Sequence, residues 1–196
     1  MTILNAVIDI SHHNGTLNFS KIKADGIIGV IQKATQGQSN TDPTYASNRK
    51  KAVAAGLLWG AYHFATGSDG VKQAEHFLGV AEPDDSTLLV LDFEPNPTGP
   101  SMSLDEARAF VTHVESVHGR FPGFYSGHFI KGLLGNSTDS TLAQCWFWLA
   151  QYGPTAVVPK NWSTWTMWQY TDGAIGPKPH GRADKLCHCH VRWSCA

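Results

Sequence analysis

Strand-like apolar runs alternate with helix-like amphipathic stretches along this chain, and nearly every run ends on a side chain with chemistry to offer. Asn5–Ile10, Ile27–Lys33, Leu57–Phe64, Thr87–Phe93, Gly123–Ser126, Gln144–Ala150 and Thr164–Tyr170 read as strands. Between them, Phe19–Ala24, Val71–Val80 and Pro43–Ala55 read as helices, the last with Pro near its start and Gly56 past its end. Ser103-Leu104-Asp105-Glu106 is a capping box that opens a further helix, reaching about His118. Such alternation implies a parallel sheet, and the run Leu88-Leu89-Val90-Leu91 suits a strand covered on both faces. An open sheet would gather its functional groups at one switch point, often beside a Gly-rich phosphate loop. Here no GxGxxG or GxxxxGK[ST] occurs. Asp9, Lys33, His63, Asp92 with Glu94, Tyr125, Gln151 and Gln169 are instead spread over many strand ends, as on the rim of a closed barrel. The expected fold class is therefore α/β, a (β/α) barrel.

Length and composition fit that reading. A chain of 196 residues, 42% hydrophobic, can bury the core of a single domain. Its net charge of −1 and lack of a basic stripe argue against nucleic acid or anionic lipid as a partner. No apolar run approaches the roughly 18–20 residues of a membrane span. Ile3–Ile10 carries Asn5 and Asp9 without a basic flank, so it is not expected to act as a signal peptide. Cys145 reads as a buried thiol, whereas Cys187, Cys189 and Cys195 crowd the last ten residues, unlike a disulfide framework.

The tetrapeptide Leu91-Asp92-Phe93-Glu94 is the most informative segment. Alternate side chains of a strand share a face, so Asp92 and Glu94 point together while Phe93 points away. Two neighbouring carboxylates repel when both are ionised, which keeps one protonated and makes a general acid of it. Asp9 ends the first strand as Asp92 ends the fourth. Three carboxylates on one rim favour glycoside hydrolysis by an acid and an anionic stabiliser, although a D-x-E at a strand end is common and Asp9 could equally cap a turn. His12 and His13 lack the H-x-H spacing of a strand that aims two imidazoles at one ion, and H-E-x-x-H is absent, so no metal or other cofactor is expected. Among the aromatics, Trp146, Phe147 and Trp148 must alternate in face. Trp59, Tyr62, Tyr125, Tyr152, Trp168 and Tyr170 lie at or near strand ends, where some can stack on sugar rings.

Seven motifs in order carry a resemblance: Asp9-Ile10-Ser11-His12-His13-Asn14-Gly15, Val30-Ile31-Gln32-Lys33-Ala34-Thr35-Gln36-Gly37, Gly60-Ala61-Tyr62-His63-Phe64, Leu91-Asp92-Phe93-Glu94, Tyr125-Ser126, Trp148-Leu149-Ala150-Gln151-Tyr152 and Trp168-Gln169-Tyr170. Over residues 5–175 the chain resembles glycoside hydrolase family 25, the Chalaropsis-type lysozymes. The resemblance implies an irregular TIM-like barrel over 1–181 that cleaves the β-1,4 bond between N-acetylmuramic acid and N-acetylglucosamine in bacterial peptidoglycan; the chain itself is expected to be a monomer. It implies Glu94 as general acid/base, Asp92 as its partner, Asp9 as the third acid, and Tyr62 near the substrate acetamido group. Tyr125, Gln151, Tyr152, Trp168 and Gln169 are the further candidate substrate contacts. Two residues of strand rise about 6.6 Å, between the separations of retaining and inverting pairs, so spacing leaves stereochemistry open. The resemblance suggests retention, with the substrate acetamido group attacking the anomeric carbon.

Residues 182–196 depart from the pattern. They hold three Cys and two His, and Asp184 is the one acid left for a fourth carboxylate role. The tail has no clean two-residue period and is expected to close the barrel poorly. Two rival readings follow: a non-catalytic glycan-binding barrel disabled by this ending, and a metal-dependent deacetylase or amidase acting on the same polymer.

Overall fold

The computed structural model describes residues 2–172, 175 and 187–193. In chain order these form β1 (Thr2–Ile10), α1 (Phe19–Ala24), β2 (Gly29–Gln36), β3 (Asn40–Thr41), α2 (Tyr45–Ala54), β4 (Leu58–Phe64), α3 (Gly70–Ala81) and β5 (Leu88–Asp92). There follow α4 (Leu104–His118), β6 (Gly123–Ser126), α5 (His128–Leu134), β7 (Trp146–Ala150), β8 (Met167–Thr171) and β9 (Cys187–Trp193). All seven expected strands are present. The short β3 makes a hairpin with β2 outside the ring, and α5 and β9 were not foreseen from the sequence. No helix of the described residues is long and apolar enough to cross a membrane.

Eight strands close on themselves in the order β1-β2-β4-β5-β6-β7-β8-β9 and back to β1. Every pairing is parallel except the two made by β9, which runs antiparallel to both β8 and β1. The expectation of a poorly closed seam is thus corrected. From Thr2↔Trp193 to Asp9↔Cys187 the β9 ladder runs the length of β1, and it continues on the other side from Met167↔Val191 to Thr171↔His188. An antiparallel strand can use one- and two-residue bulges to find its partners, and both ladders have one, at Asn5/Val7 and at Gln169/Thr171. The period of two that is hard to read in Cys-His-Cys-His-Val is present in space: Cys189 and Val191 belong to the barrel interior.

Two separate hydrophobic cores result. Inside the barrel every strand of the ring contributes to one apolar cluster that includes Val7, Ile31, Tyr62, Val90, Tyr125, Trp148, Met167 and Cys189. Trp146 packs against this cluster and lies across Gly123, where a Cβ would collide with the indole, so the absence of a side chain on β6 makes room for it. The larger core fills the space between strands and helices, where Phe77 of α3 and Phe110 of α4 stack with ring centroids 5.9 Å apart. Helices α3 and α4 approach so closely that a Cβ on Gly70 would strike the Glu106 carbonyl. The capping box opens α4 as expected: Ser103 Oγ accepts from the Glu106 N–H, and Glu106 accepts from the Ser103 N–H at 2.7 Å.

His63 belongs to the outer core. It is fully buried, stacks on Phe110 and bonds Thr35 Oγ1 at 2.8 Å and Gln73 Oε1 at 3.0 Å. Burial pushes its pKa down to about 3, so it is neutral, a packed polar bridge between β2, β4 and α3 and not a rim group. Alternation on β4 explains the split: Tyr62 faces in, so His63 faces out.

Candidate active site

The upper mouth of the barrel holds a cleft of about 180 Å³, and three strand ends, with the segment beyond one of them, supply its acids and amide. Asp9 enters from β1, Asp92 from the last position of β5, Glu94 from the turn after it, and Gln169 from β8. The Asp92/Glu94 pairing follows from continued extension past the end of β5. The Phe93 N–H donates to the Tyr125 carbonyl at 2.9 Å, and Ser126 Oγ donates to the Phe93 carbonyl at 2.7 Å. Phe93 is thereby turned outward against Phe124 and Phe129, and the carboxylates on either side of it turn into the cleft.

Burial sets the electrostatics of the pair. Asp92 is held well above the usual carboxylate range, first by desolvation and then by the negative charge of Glu94; Lys33 opposes the shift and Asp9 adds to it. Glu94 is raised by burial and then by Asp9. Both carboxyls therefore hold a proton more readily than in water, and their repulsion opposes ionising the two together. Asp92 Oδ1 is buried with no hydrogen-bond partner among the described residues, and so is Nε1 of Trp148, which lines the same cleft. Two buried polar atoms left unpaired on side chains that line one cleft are costly to stability.

Aromatic walls surround the acids. Tyr125 and Trp148 meet edge to face, 4.8 Å between ring centroids, with Tyr62 and Tyr152 on the remaining sides. Burial raises the Tyr125 phenol well above its ordinary value, and the nearby carboxylates raise it further. Its hydroxyl donates to Gln169 Oε1 at 2.7 Å, and Gln169 Nε2 donates to Asp9 Oδ2 at 2.7 Å. A second hollow of about 410 Å³ continues the cleft past Glu94, Tyr125 and Tyr152 towards His128, Phe129 and Gln151. Glu94 therefore stands where the two hollows meet.

The structure thus brings together Asp9, Asp92, Glu94, Tyr62, Tyr125, Tyr152 and Gln169. Gln151 lines the second hollow, but its side-chain amide is already engaged: Oε1 accepts from Lys131 at 2.8 Å and Nε2 donates to the Thr155 carbonyl at 2.7 Å. Trp168 is not in the cleft. Its ring is in the outer core against Trp165 and Tyr170, and its indole N–H supports the Gln151 carbonyl from behind at 2.6 Å. The reason is parity: Gln169 faces in, so Trp168 and Tyr170 face out. Asp184 lies outside the described residues. Trp148, absent from the expected contacts, proves to be a wall of the cleft, and the alternation Trp146-Phe147-Trp148 already limits which indoles can face inward. His12 and His13 do not diverge as strand residues would. They sit in a 3-10 turn with ring centroids 3.9 Å apart, and His12 Nδ1 bonds the buried Asp42 carboxylate at 2.8 Å. Burial opposes ionisation of Asp42, but hydrogen bonds from Thr44 and His12 outweigh it and hold its pKa below the usual value. That cluster braces the β1 exit with no part in the cleft.

Comparison with known proteins identifies the family. Residues 8–177 match the family model of Glycosyl hydrolases family 25. The chain is 33% identical over 184 residues to Lysozyme M1 of Streptomyces globisporus, covering 86% of this chain and 63% of that protein, slightly less than two thirds of its length. It is 30% identical over 182 residues to the N,O-diacetylmuramidase of a Chalaropsis species, covering 84% of this chain and 86% of that one. Among solved structures, a family GH25 lysozyme from Aspergillus fumigatus superposes with a TM-score of 0.83 at 30% identity, over 98% of this chain and 95% of the other. The bacterial lysozyme from Streptomyces coelicolor gives 0.82 at 31% identity, over 95% and 91%. With its closed eight-strand barrel and its acids gathered on one rim, the chain belongs to glycosyl hydrolase family 25.

Proposed function

We propose that the protein is a lysozyme that cleaves the β-1,4 bond between N-acetylmuramic acid and N-acetylglucosamine in peptidoglycan, with retention through the substrate's own acetamido group. One observation carries the reading: Asp92, a buried carboxylate with an unpaired oxygen, lies in the same cleft as the raised carboxyl of Glu94. An acetamido N–H entering the cleft is a donor that the Asp92 carboxylate can accept. Its hydrogen bond favours the charged form of Asp92, whose negative charge in turn favours the protonated form of Glu94. Glu94, at the junction of the two hollows, then gives its proton to the glycosidic oxygen as the bond from that oxygen to C1 breaks. The acetamido carbonyl oxygen attacks C1, and the positive charge of the resulting ring is balanced by Asp92. In the second half, Glu94 takes a proton from water as the water oxygen attacks C1 and the acetamido group is released. The aromatic walls of Tyr62, Tyr125 and Trp148 offer flat faces to the sugar.

The test is digestion of purified peptidoglycan, borohydride reduction and mass spectrometry of the fragments. Muramitol at the new ends is the expected product, and proton NMR of the first anomer released reports retention. Glucosaminitol ends alone, or no new reducing ends at all, would overturn the assignment.

A further inference from the structure

Gln169 spans two groups that the reaction needs kept apart. Its side chain is buried, at 3% exposure, and both ends of its amide are committed: Oε1 accepts the Tyr125 phenol proton and Nε2 donates to Asp9 Oδ2, each at 2.7 Å. These partners fix which way the amide lies, because a phenol can donate to the oxygen and a carboxylate can only accept from the nitrogen. The same Asp9 oxygen meets a second donor, the fully buried Cys189 Sγ, at 3.7 Å. Asp9 is therefore held from β8 and from β9, the two strands whose pairing closes the barrel.

We propose that Gln169 is a positioning residue and not a substrate ligand, holding Asp9 in place with help from Cys189 while drawing the Tyr125 hydroxyl away from the catalytic carboxylates. Two consequences follow for the reaction. Asp9 is one of the charges that raise Glu94, so fixing Asp9 maintains the acid form of Glu94. Tyr125 lies close enough to Asp9, Asp92 and Glu94 to feel all three. Released from Gln169, its O–H would be free to donate to one of them, stabilising that group's charged form and lowering its proton affinity. The amide thus protects the proton on Glu94 by occupying a competing donor. This inference rests on the reading of Glu94 as the acid.

The experiment compares Gln169→Leu, Cys189→Ala and Cys189→Ser with the unaltered protein in steady-state peptidoglycan hydrolysis, alongside calorimetric binding of an N-acetylglucosamine oligomer and thermal unfolding. Gln169→Leu is expected to lower kcat by roughly 10–100-fold, the scale of losing preorganisation at a reacting centre, while KM and oligomer affinity stay within about twofold. Cys189→Ala is expected to lose a smaller part of kcat, and Cys189→Ser to recover it, because a hydroxyl keeps the donor. A large rise in KM with loss of oligomer binding and unchanged kcat would make Gln169 a substrate ligand and overturn the proposal, as would unchanged kinetics in Gln169→Leu. If Gln169→Leu unfolds, Gln169→Asn, whose shorter amide cannot reach both partners, is judged by the same kcat and KM outcomes, and equal activity of Cys189→Ala and Cys189→Ser overturns the second-donor role. Failure of the underlying lysozyme reading is separable, since the unaltered protein would then release no muramitol.

Discussion

Replacing Glu94 by Gln separates the chemistry of the cleft from its architecture. The amide keeps the shape of the side chain, so the wall between the two hollows remains and sugar binding on either side of it should be preserved. What disappears is the transferable proton. General acid–base catalysis supplies typically 10²–10⁴-fold in rate, equivalent to about 3–5 kcal/mol of barrier, and kcat should fall by that amount with KM little changed. Stability should move the other way. After burial, the negative charge of Glu94 does most to raise the Asp92 pKa, so the folded protein carries repulsion that the variant relieves. A carboxyl whose pKa is raised by folding binds protons more readily in the native state than in the unfolded chain. Such a group costs stability as pH rises through its unfolded value, and the cost is complete above its folded value. The melting temperature of Glu94→Gln should therefore equal or exceed that of the unaltered protein at neutral pH, with the difference vanishing in acid. Turbidity clearance of bacterial walls and thermal unfolding between about pH 3 and 8 measure both. Turnover within a few-fold of the starting protein would refute the acid role, and a clear loss of stability at neutral pH would refute the electrostatic argument.

Three further outcomes are expected. Asp9→Asn removes a charge that raises both Asp92 and Glu94, so the alkaline limb of the pH–rate profile should move to lower pH; a shift to higher pH would contradict the assigned couplings. Phe110→Ala opens the outer core beneath His63 and Phe77, and should cost about 3–5 kcal/mol in denaturant unfolding, since Phe110 is fully buried and stacked on both rings. Asp42→Asn leaves donors of His12 and Thr44 poorly matched and should cost about 1–3 kcal/mol at neutral pH. Because folding depresses the Asp42 pKa, that cost should shrink as pH falls through the folded value, which a pH series of melts would show.

Strand–helix alternation and the D-x-E at the end of β5 were legible in the sequence because both depend on local periods, two for strands and 3.6 for helices. Parity also determines which neighbour faces the cleft, but parity is relative. The motif Trp168-Gln169-Tyr170 states that the aromatic pair and the amide lie on opposite faces without saying which face is inside. Only the closed ring decides that Gln169 looks in at Asp9 while Trp168 looks out at Trp165. The same holds for Tyr62 and His63 on β4, where two plausible rim residues sit on opposite faces of one strand.

What stayed hidden was β9. Cysteine and histidine give a weak strand signal, and the strand forms because two open ladder edges, on β1 and β8, await it: unpaired N–H and C=O groups facing each other across a gap about one strand wide are expensive to leave open. Tertiary demand, more than local propensity, selects the conformation of residues 187–193. The interior position this creates opposite Gln169 then has to be small, because the Asp9 carboxylate already lies against it. Cys189 fits: its pairing with Val7 on one side and Gln169 on the other brings its thiol under Asp9. A substitution there to a large aliphatic residue would have to displace either its neighbour Val7 or the acid itself. The strand that completes the hydrogen-bonded ring therefore also completes the support of the site.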